Sequence, residues 1–216
     1  MDIAFLELAH RCAPGIEISL PTLAAVISVE SGFAPLTIRV AGQRIEPAPK
    51  TKGEAVAVAV GFMDEGKSVA LGLGGIDSGK LSRAGLSIVD AFDACRNVAG
   101  LAQLLDRDLA AARRAGHADT AAERIALLRY GSNSASGSGA GYDVRVAEAR
   151  SKLGSDLTAL VVRDAGPPRA SIMRAESQPA EVLAVPPPAA APPKPAPAWD
   201  VFGAAGTKSS VLVFTQ

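Results

Sequence analysis

The amino-acid sequence predicts an α+β fold that is mostly α-helical, with one small β-hairpin and a disordered C-terminal tail. Apolar residues recur at helical spacing in several segments that carry capping residues at their ends. A short β-prone stretch near residue 38 is bounded by turn residues. The hydrophobic share of 48% is rich in alanine, whereas aromatic residues make up only 4%. That composition is typical of a helical core built from small residues.

Composition and spacing exclude several classes of function. The 22 Lys and Arg residues balance the 22 Asp and Glu residues, so no bulk charge favours nucleic acid or a membrane surface. No apolar run approaches the roughly 20 residues that cross a bilayer, so we expect no membrane span. His10 and His117 lack carboxylate or thiol neighbours at ligand spacing, so we expect no metal. The Gly72-x-Gly74 pair lacks the third glycine of a dinucleotide fingerprint, and we expect no cofactor.

The N-terminal part is predicted to contain two helices. The first covers about residues 2–11 and ends at the Pro14-Gly15 pair. The second begins near Pro21, whose fixed φ and missing N–H suit a first helical turn. It ends before Gly32, a natural left-handed cap.

Glu30 lies on the apolar face of this second helix. The face repeats at i, i+3, i+4 and i+7 through Leu23, Val26, Ile27 and Glu30. Burial and the negative end of the helix dipole both oppose ionisation of a carboxyl group at this position. A carboxylic acid that stays protonated near neutral pH is a candidate general acid. The alternative is a glutamate on the last helical turn with its carboxylate in water.

A hairpin and a glycine-rich segment are predicted in the middle of the chain. Residues 36–40 and 44–47 have strand character and are joined by a turn at 41–43. Residues 68–77 are rich in glycine and predict a strand followed by a loop.

Periodicity and capping signals predict four further helices. Their expected bounds are Thr51 to about Gly66, about Asp93 to about Gly116, Thr120 to Tyr130, and Tyr142 to about Gly154. The first and third of them open with the spacing of a capping box, Thr51 to Glu54 and Thr120 to Glu123. A flexible Gly/Ser loop over 131–141 precedes the last helix.

The tail differs in composition from the rest of the chain. Ten of the 15 prolines lie between Pro167 and Pro197, with alanine between them, and such a segment cannot bury a core. We therefore expect a folded domain over 1–154, a disordered linker over 155–198 and an apolar C-terminal peptide over 199–216. That peptide carries the only tryptophan and is either a docking peptide or a sticky, disordered terminus.

Four short sequence segments, taken in their order along the chain, resemble those of a known family. They are LAHRCAP (8–14), ESGFAPL (30–36), ALGLGGID (70–77) and AFDACRN (91–97). With this order and spacing the chain resembles the lytic transglycosylases of bacterial type IV secretion systems, from about Leu8 to about Val146. The resemblance implies a lysozyme-like domain that cleaves peptidoglycan, with Glu30 as the single catalytic acid. The substrate-binding residues that it implies are Ser31, Gly72, Gly75, Ile76, Asp77 and Tyr130.

Two positions depart from the family pattern. The family's Gly-Leu-Met-Gln-Ile-Asn is Gly-Leu-Gly-Gly-Ile-Asp here, so Gly75 stands where a glutamine would offer its amide to a sugar. The family's Tyr-Asn-Thr-Gly begins Tyr130-Gly131, so the asparagine beside the tyrosine is also missing. Because substrate positioning is worth as much as acid catalysis, reduced activity is an expectation of the sequence.

The resemblance also implies a location and partners. Cys12 and Cys95 match a disulfide pair of the family, the alternative being two buried thiols. A disulfide implies the periplasm, although residues 1–7 show no recognisable signal peptide, which leaves a short start or an unrecognised export signal open. The implied partners are peptidoglycan glycan strands and, through the tail, type IV secretion components.

Two other functions stay open at this stage. One is a catalytically impaired wall-binding or assembly protein on the same fold. The other is a hydrolytic lysozyme in which Asp77 is the second carboxylate.

Overall fold

The computed structural model describes residues 2–132 and 141–163. This part of the chain is mostly helical with small antiparallel sheets, which confirms the predicted α+β class. The predicted tail and most of the predicted Gly/Ser loop lie outside the described residues. The helices are α1 (Phe5–Cys12), α2 (Leu20–Ser31), α3 (Lys52–Asp64), α4 (Ile88–Ala91), α5 (Ala94–Arg114), α6 (Asp119–Gly131) and α7 (Tyr142–Leu153). The strands are β1 (Asp2–Ala4), β2 (Ile38–Val40), β3 (Gln43–Arg44), β4 (Val69–Leu71), β5 (Ile76–Asp77) and β6 (Val161–Arg163).

Helix α2 lies at the centre of the domain. Ser19 caps its N-terminus by accepting a hydrogen bond from the Thr22 amide at 3.2 Å, and Pro21 occupies the first turn as predicted. Gly32 ends it in the left-handed conformation, with φ of 60°, also as predicted. The helix is buried on more than the one face that periodicity predicted, because eight of its 12 residues are buried. Glu30 is one of these buried residues, so its carboxyl group is removed from water.

The predicted hairpin is part of a four-stranded antiparallel sheet with strand order β3-β2-β4-β5. Ala41 and Gly42 both have positive φ, which is the geometry of a tight two-residue hairpin turn. Strand β2 pairs on its other side with β4, with Ile38 opposite Leu71. The sheet therefore brings the segment after α2 next to the glycine-rich stretch that follows β4.

The first expected helix is partly wrong at its start. Asp2–Ala4 form a strand that pairs antiparallel with β6, with Ile3 opposite Val162, and the helix begins only at Phe5. The expected linker likewise does not begin at residue 155. Leu157 and Val162 are buried in the core, and the Leu160 carbonyl accepts a hydrogen bond from the Phe5 amide at 2.8 Å. Strand β1 has only three residues, and its strand character was too weak to detect in the sequence without knowledge of its partner strand β6.

Helix α5 is the long helix that the sequence predicted, and Asp93 caps it. Its apolar stripe packs against α1 and α6. Cys95 on α5 and Cys12 on α1 form a disulfide, with their Cα atoms 5.2 Å apart, as the resemblance implied.

The two predicted capping boxes differ in outcome. Thr51 accepts a hydrogen bond from the Glu54 amide at 3.2 Å, but the Glu54 carboxylate accepts from the Lys50 amide instead of closing the box. The second box is wrong, because α6 begins at Asp119 without a side-chain cap. Glu123 instead accepts hydrogen bonds from Thr22 and Arg150, and so joins α2, α6 and α7.

None of the described helices is both long and apolar enough to cross a membrane.

Candidate active site

Glu30 lies on the last turn of α2, and its side chain is 0% exposed. Within residues 2–132 and 141–163, neither carboxyl oxygen has a hydrogen-bond partner of good geometry. Buried polar atoms are nearly always paired in folded proteins, and an unpaired buried carboxyl group is costly to keep. An orphaned buried acid is therefore the first sign of a functional group in this domain.

The pKa of Glu30 is raised from 4.5 to about 7. Burial is the largest cause, because it removes water from the charged form. Tyr142 and the positive charges of Arg39, Arg145 and Lys80 oppose it and lower the pKa in part. The balance leaves the carboxyl group close to half protonated near neutral pH, which suits a group that must both give and take a proton.

Arg39 forms an ion pair with Glu30. Its Nη1 lies 3.7 Å from Oε2 of Glu30, and its Nη2 donates to the Val29 carbonyl at 2.9 Å. The strand β2 delivers this side chain, which is 21% exposed, to the C-terminal end of α2. The positive charge of Arg39 therefore offsets the negative end of the α2 dipole and also lowers the pKa of the Glu30 carboxyl group.

Tyr142 faces the acid from the start of α7. Its ring is fully buried, and its hydroxyl is close enough to lower the pKa of Glu30 without making a hydrogen bond of good geometry. Burial raises the pKa of the Tyr142 hydroxyl well above its usual range, so the group stays a neutral phenol. A second ring, that of Tyr130, lies 6.1 Å from it, measured between ring centres.

The Gly-rich loop between β4 and β5 passes beside Glu30 and is fixed by two side chains. Asn97 of α5 accepts from the Gly74 amide at 2.7 Å and donates to the Leu71 and Ala91 carbonyls at 3.1 and 2.8 Å. The Tyr130 hydroxyl donates to the Gly74 carbonyl at 2.7 Å. Both side chains are buried, so they hold the loop as a rigid wall of the site.

Gly75 and Gly131 are glycines because neighbouring side chains occupy the space of a β-carbon. A Cβ on Gly75 would lie 2.4 Å from Oε2 of Glu30, and the φ there is +61°. A Cβ on Gly131 would lie 2.5 Å from Cγ of Tyr142. Each of the two departures from the family pattern therefore makes room for a residue of the acid site. Gly131 is the last residue of α6 and does not lie in the predicted loop.

The structure does not bring every predicted substrate-binding side chain to the acid. The Ser31 hydroxyl donates to the Ile27 carbonyl of its own helix at 3.1 Å. Ile76 is fully buried in the core, opposite Leu71 in the sheet. The Asp77 carboxylate accepts from Ser68 at 2.7 Å and from the Gly79 amide at 2.9 Å, which is the role of a cap. A Cβ on Gly72 would lie 2.1 Å from the Ala91 carbonyl oxygen, so its role is close packing.

Sequence reasoning missed Arg39, Asn97 and Tyr142 as site residues. Arg39 could have been found because it is a charge inside the apolar strand Ile38–Val40. Asn97 could have been found because it is an amide at the start of the apolar stripe of α5. Tyr142 gave no signal beyond its place at a helix start. Over residues 2–132 and 141–163, no group of three or more His, Cys, Asp or Glu side chains is arranged to hold a metal ion.

The fold and the site together define a class: an α+β domain with a fully buried carboxyl group, that of Glu30, whose pKa is raised to about 7. The chain is 34% identical over 104 residues to the type IV secretion system protein VirB1 of Brucella abortus, Brucella melitensis and Brucella suis. That match covers 48% of this chain and 43% of each relative, so the chain spans less than half the length of the curated relatives it matches. No family model and no solved structure matches the chain.

Proposed function

We propose that the protein is a peptidoglycan lytic transglycosylase with Glu30 as its single acid and base. The observation that carries the proposal is the buried carboxyl group of Glu30, whose pKa of about 7 lets it act in both roles at neutral pH. The relatives named for type IV secretion support a role in opening the wall for that apparatus. The disulfide supports a periplasmic location, where the wall lies.

The mechanism needs one carboxyl group because the sugar supplies its own nucleophiles. Protonated Glu30 donates its proton to the oxygen between N-acetylmuramic acid and N-acetylglucosamine, and that C1–O bond breaks. The acetamido oxygen of the muramoyl sugar bonds to C1 and stabilises its positive charge. Glu30, now a carboxylate, takes the proton of the C6 hydroxyl, whose oxygen then displaces the acetamido oxygen at C1. The product carries a 1,6-anhydro ring, and Glu30 is protonated again.

Arg39 and Tyr142 serve this cycle by their opposing effects on the acid. Burial alone favours the protonated form and makes the carboxylate that follows proton transfer costly. The guanidinium of Arg39, 3.7 Å from the carboxyl group, and the nearby Tyr142 hydroxyl stabilise that carboxylate. The pair therefore lowers the energy of the intermediate without removing the proton from the resting acid.

A hydrolytic lysozyme is the weaker candidate. Both oxygens of the Asp77 carboxylate accept hydrogen bonds that fix the turn after β5, so it is poorly suited to be a nucleophile or base. A catalytically impaired wall-binding protein has one observation in its favour. The Glu30 carboxyl group is fully covered, so a sugar reaches it only after the covering residues move.

One experiment tests these candidates together. The purified protein and its Glu30→Gln variant are incubated with peptidoglycan, and the released muropeptides are identified by mass. We expect 1,6-anhydro ends from the unmodified protein and a loss of at least about 100-fold in the variant. Free reducing ends would indicate hydrolysis. Binding to the wall with no cleavage by either form would favour the impaired candidate and refute the enzyme.

A further inference from the structure

A groove of about 830 Å³ lies at the C-terminal end of α2, and Glu30 is not among the residues that line it. We call it the α2-end groove. Its wall begins at Gly32, two residues beyond Glu30, and continues along the segment that leads into β2. The residues that matter here are Phe33, Leu36, Ile45, Leu160, Arg44 and Arg163.

One residue of the groove, Phe33, has a strained backbone. Phe33 has a φ of +64°, which a bulky residue rarely adopts. Its ring packs edge-on against Phe5, with the ring centres 5.9 Å apart, and Phe33 also lines the groove. Strained backbone persists where the surrounding structure requires it, and it is concentrated at binding and catalytic sites.

The charges of the groove are unevenly paired. Arg44 uses its Nη2 to donate to the Ser31 carbonyl at 2.7 Å and is in no ion pair among the described residues. The Arg163 side chain has neither a hydrogen-bond nor an ion-pair partner in that part of the chain, although Asp2, which also lines the groove, lies opposite it in the β1–β6 register. The two exposed arginines line the groove together with Leu36, Ile45 and Leu160, and this combination suits an extended ligand with small apolar groups and carboxylates.

We propose that the α2-end groove binds the short peptide stem that peptidoglycan carries on its muramoyl sugar. This proposal rests on the proposed function, because the stem belongs to the same substrate. The stem alternates small apolar side chains with carboxylates, which match the apolar lining residues and the two arginines of the groove. The glycan that Glu30 cleaves also carries the stem on the ring beside the scissile bond, and the groove starts within a helical turn of Glu30 along the chain.

The test is a titration of the full ¹⁵N-labelled chain with a soluble muramoyl tetrapeptide. We expect amide shifts that concentrate on Phe33, Leu36, Ile45 and Leu160. The same peptide with its carboxylates amidated should bind about five-fold more weakly, and so should the Arg163→Gln variant with the unmodified peptide. The matched control is Arg114→Gln, an exposed arginine at the end of α5, which should leave the affinity unchanged.

Three outcomes would overturn the proposal. They are no binding of the peptide, amide shifts away from the groove, and equal affinity in the Arg163→Gln and Arg114→Gln variants. Digestion of peptide-free glycan strands by the unmodified chain tests the proposed cleavage alone. Cleavage without groove shifts would leave the transglycosylase and refute the groove. Amide shifts in the groove without cleavage would support peptide binding there and refute the transglycosylase.

Discussion

Gly75 and Glu30 are in direct contact, and the contact has no room for a side chain on Gly75. A β-carbon there would lie 2.4 Å from Oε2 of Glu30 and 2.9 Å from its carboxyl carbon, whereas real Cβ contacts are longer than 3.0 Å. The φ of +61° at Gly75 adds a second reason for glycine. The residue at position 75 therefore shapes the surroundings of the acid through its backbone.

We first predict that Gly75→Ala destabilises the fold by about 2–4 kcal/mol and displaces the Glu30 carboxyl group. The reason is the sum of backbone strain and a steric clash. The measurement is urea unfolding of the oxidised protein at pH 7. The matched control is Gly66→Ala, where φ is +75° but nothing lies within 4 Å of the added carbon, so only about 1 kcal/mol is expected.

The clash and the strain are separable by a double-mutant cycle. Glu30→Ala removes the two nearest atoms that the new β-carbon would strike, Oε2 and the carboxyl carbon, and leaves Cβ at 3.0 Å, so Gly75→Ala should cost only about 1–2 kcal/mol in that background. An equal cost in both backgrounds would mean that Gly75 does not pack on the acid.

Much of the fold was predictable because local signals and packing agree in it. Pro21 and Gly32 bound α2, the stripe of α5 is buried as its periodicity predicted, and the Ala41-Gly42 turn forms the hairpin. The pairing of β1 with β6 was not predictable in the same way. Each strand has three residues, and the partners are separated by more than 150 positions in the sequence.

The sequence named the acid of the candidate site, as well as Gly75 and Tyr130, but not the other side chains around the acid. Glu30 combined an apolar helix face, a helix C-terminus and a family-like word, whereas Asn97 and Arg39 act through contacts between distant segments. From the sequence, Gly75 was interpreted only as the loss of a glutamine side chain that would contact the substrate. Its actual neighbour, the Glu30 carboxyl group, is 45 positions away and could not be inferred from spacing alone.

We next predict that Glu30 makes the stability of the protein fall as the pH rises. The pKa of Glu30 is about 7 in the folded chain and 4.5 as its ordinary value, so the folded chain holds this proton more tightly. The stability that the bound proton contributes, about 3 kcal/mol, is fully present below pH 4.5 and is lost as the pH rises through 7. Glu30→Gln should therefore gain about 2–3 kcal/mol relative to the unmodified protein between pH 5 and pH 8.

Urea unfolding of both proteins at the two pH values measures this gain. Glu148→Gln, a change at an exposed carboxylate of α7, is the control and should follow the unmodified protein at both. A Glu30→Gln variant whose relative stability does not change with pH would mean that the acid is not buried with a raised pKa.

The third prediction concerns the disulfide between Cys12 and Cys95, which are separated by 83 positions. A bridge that closes so long a loop restricts the unfolded chain, and it should contribute about 4 kcal/mol. We expect a reducing agent to lower the melting temperature of the unmodified protein by many degrees. The Cys12→Ala/Cys95→Ala variant should melt at the lower temperature with or without the reductant. A reductant effect that persists in this variant would show that the bridge is not its target.

The last prediction separates the ring of Tyr142 from its hydroxyl. Gly131→Ala places a carbon 2.5 Å from Cγ of Tyr142, so we expect a loss of about 1–3 kcal/mol in stability. The matched control is Gly61→Ala in α3, where the added carbon meets nothing within 4 Å and should stabilise the helix by up to about 1 kcal/mol. Tyr142→Phe keeps the ring and removes a buried hydroxyl that has no well-formed hydrogen bond to the described residues, so the stability should hardly change. The pKa of Glu30 should nevertheless rise further in that variant, because the hydroxyl lowers it. A carboxyl ¹³C NMR titration measures that pKa, and an unchanged value would remove Tyr142 from the site.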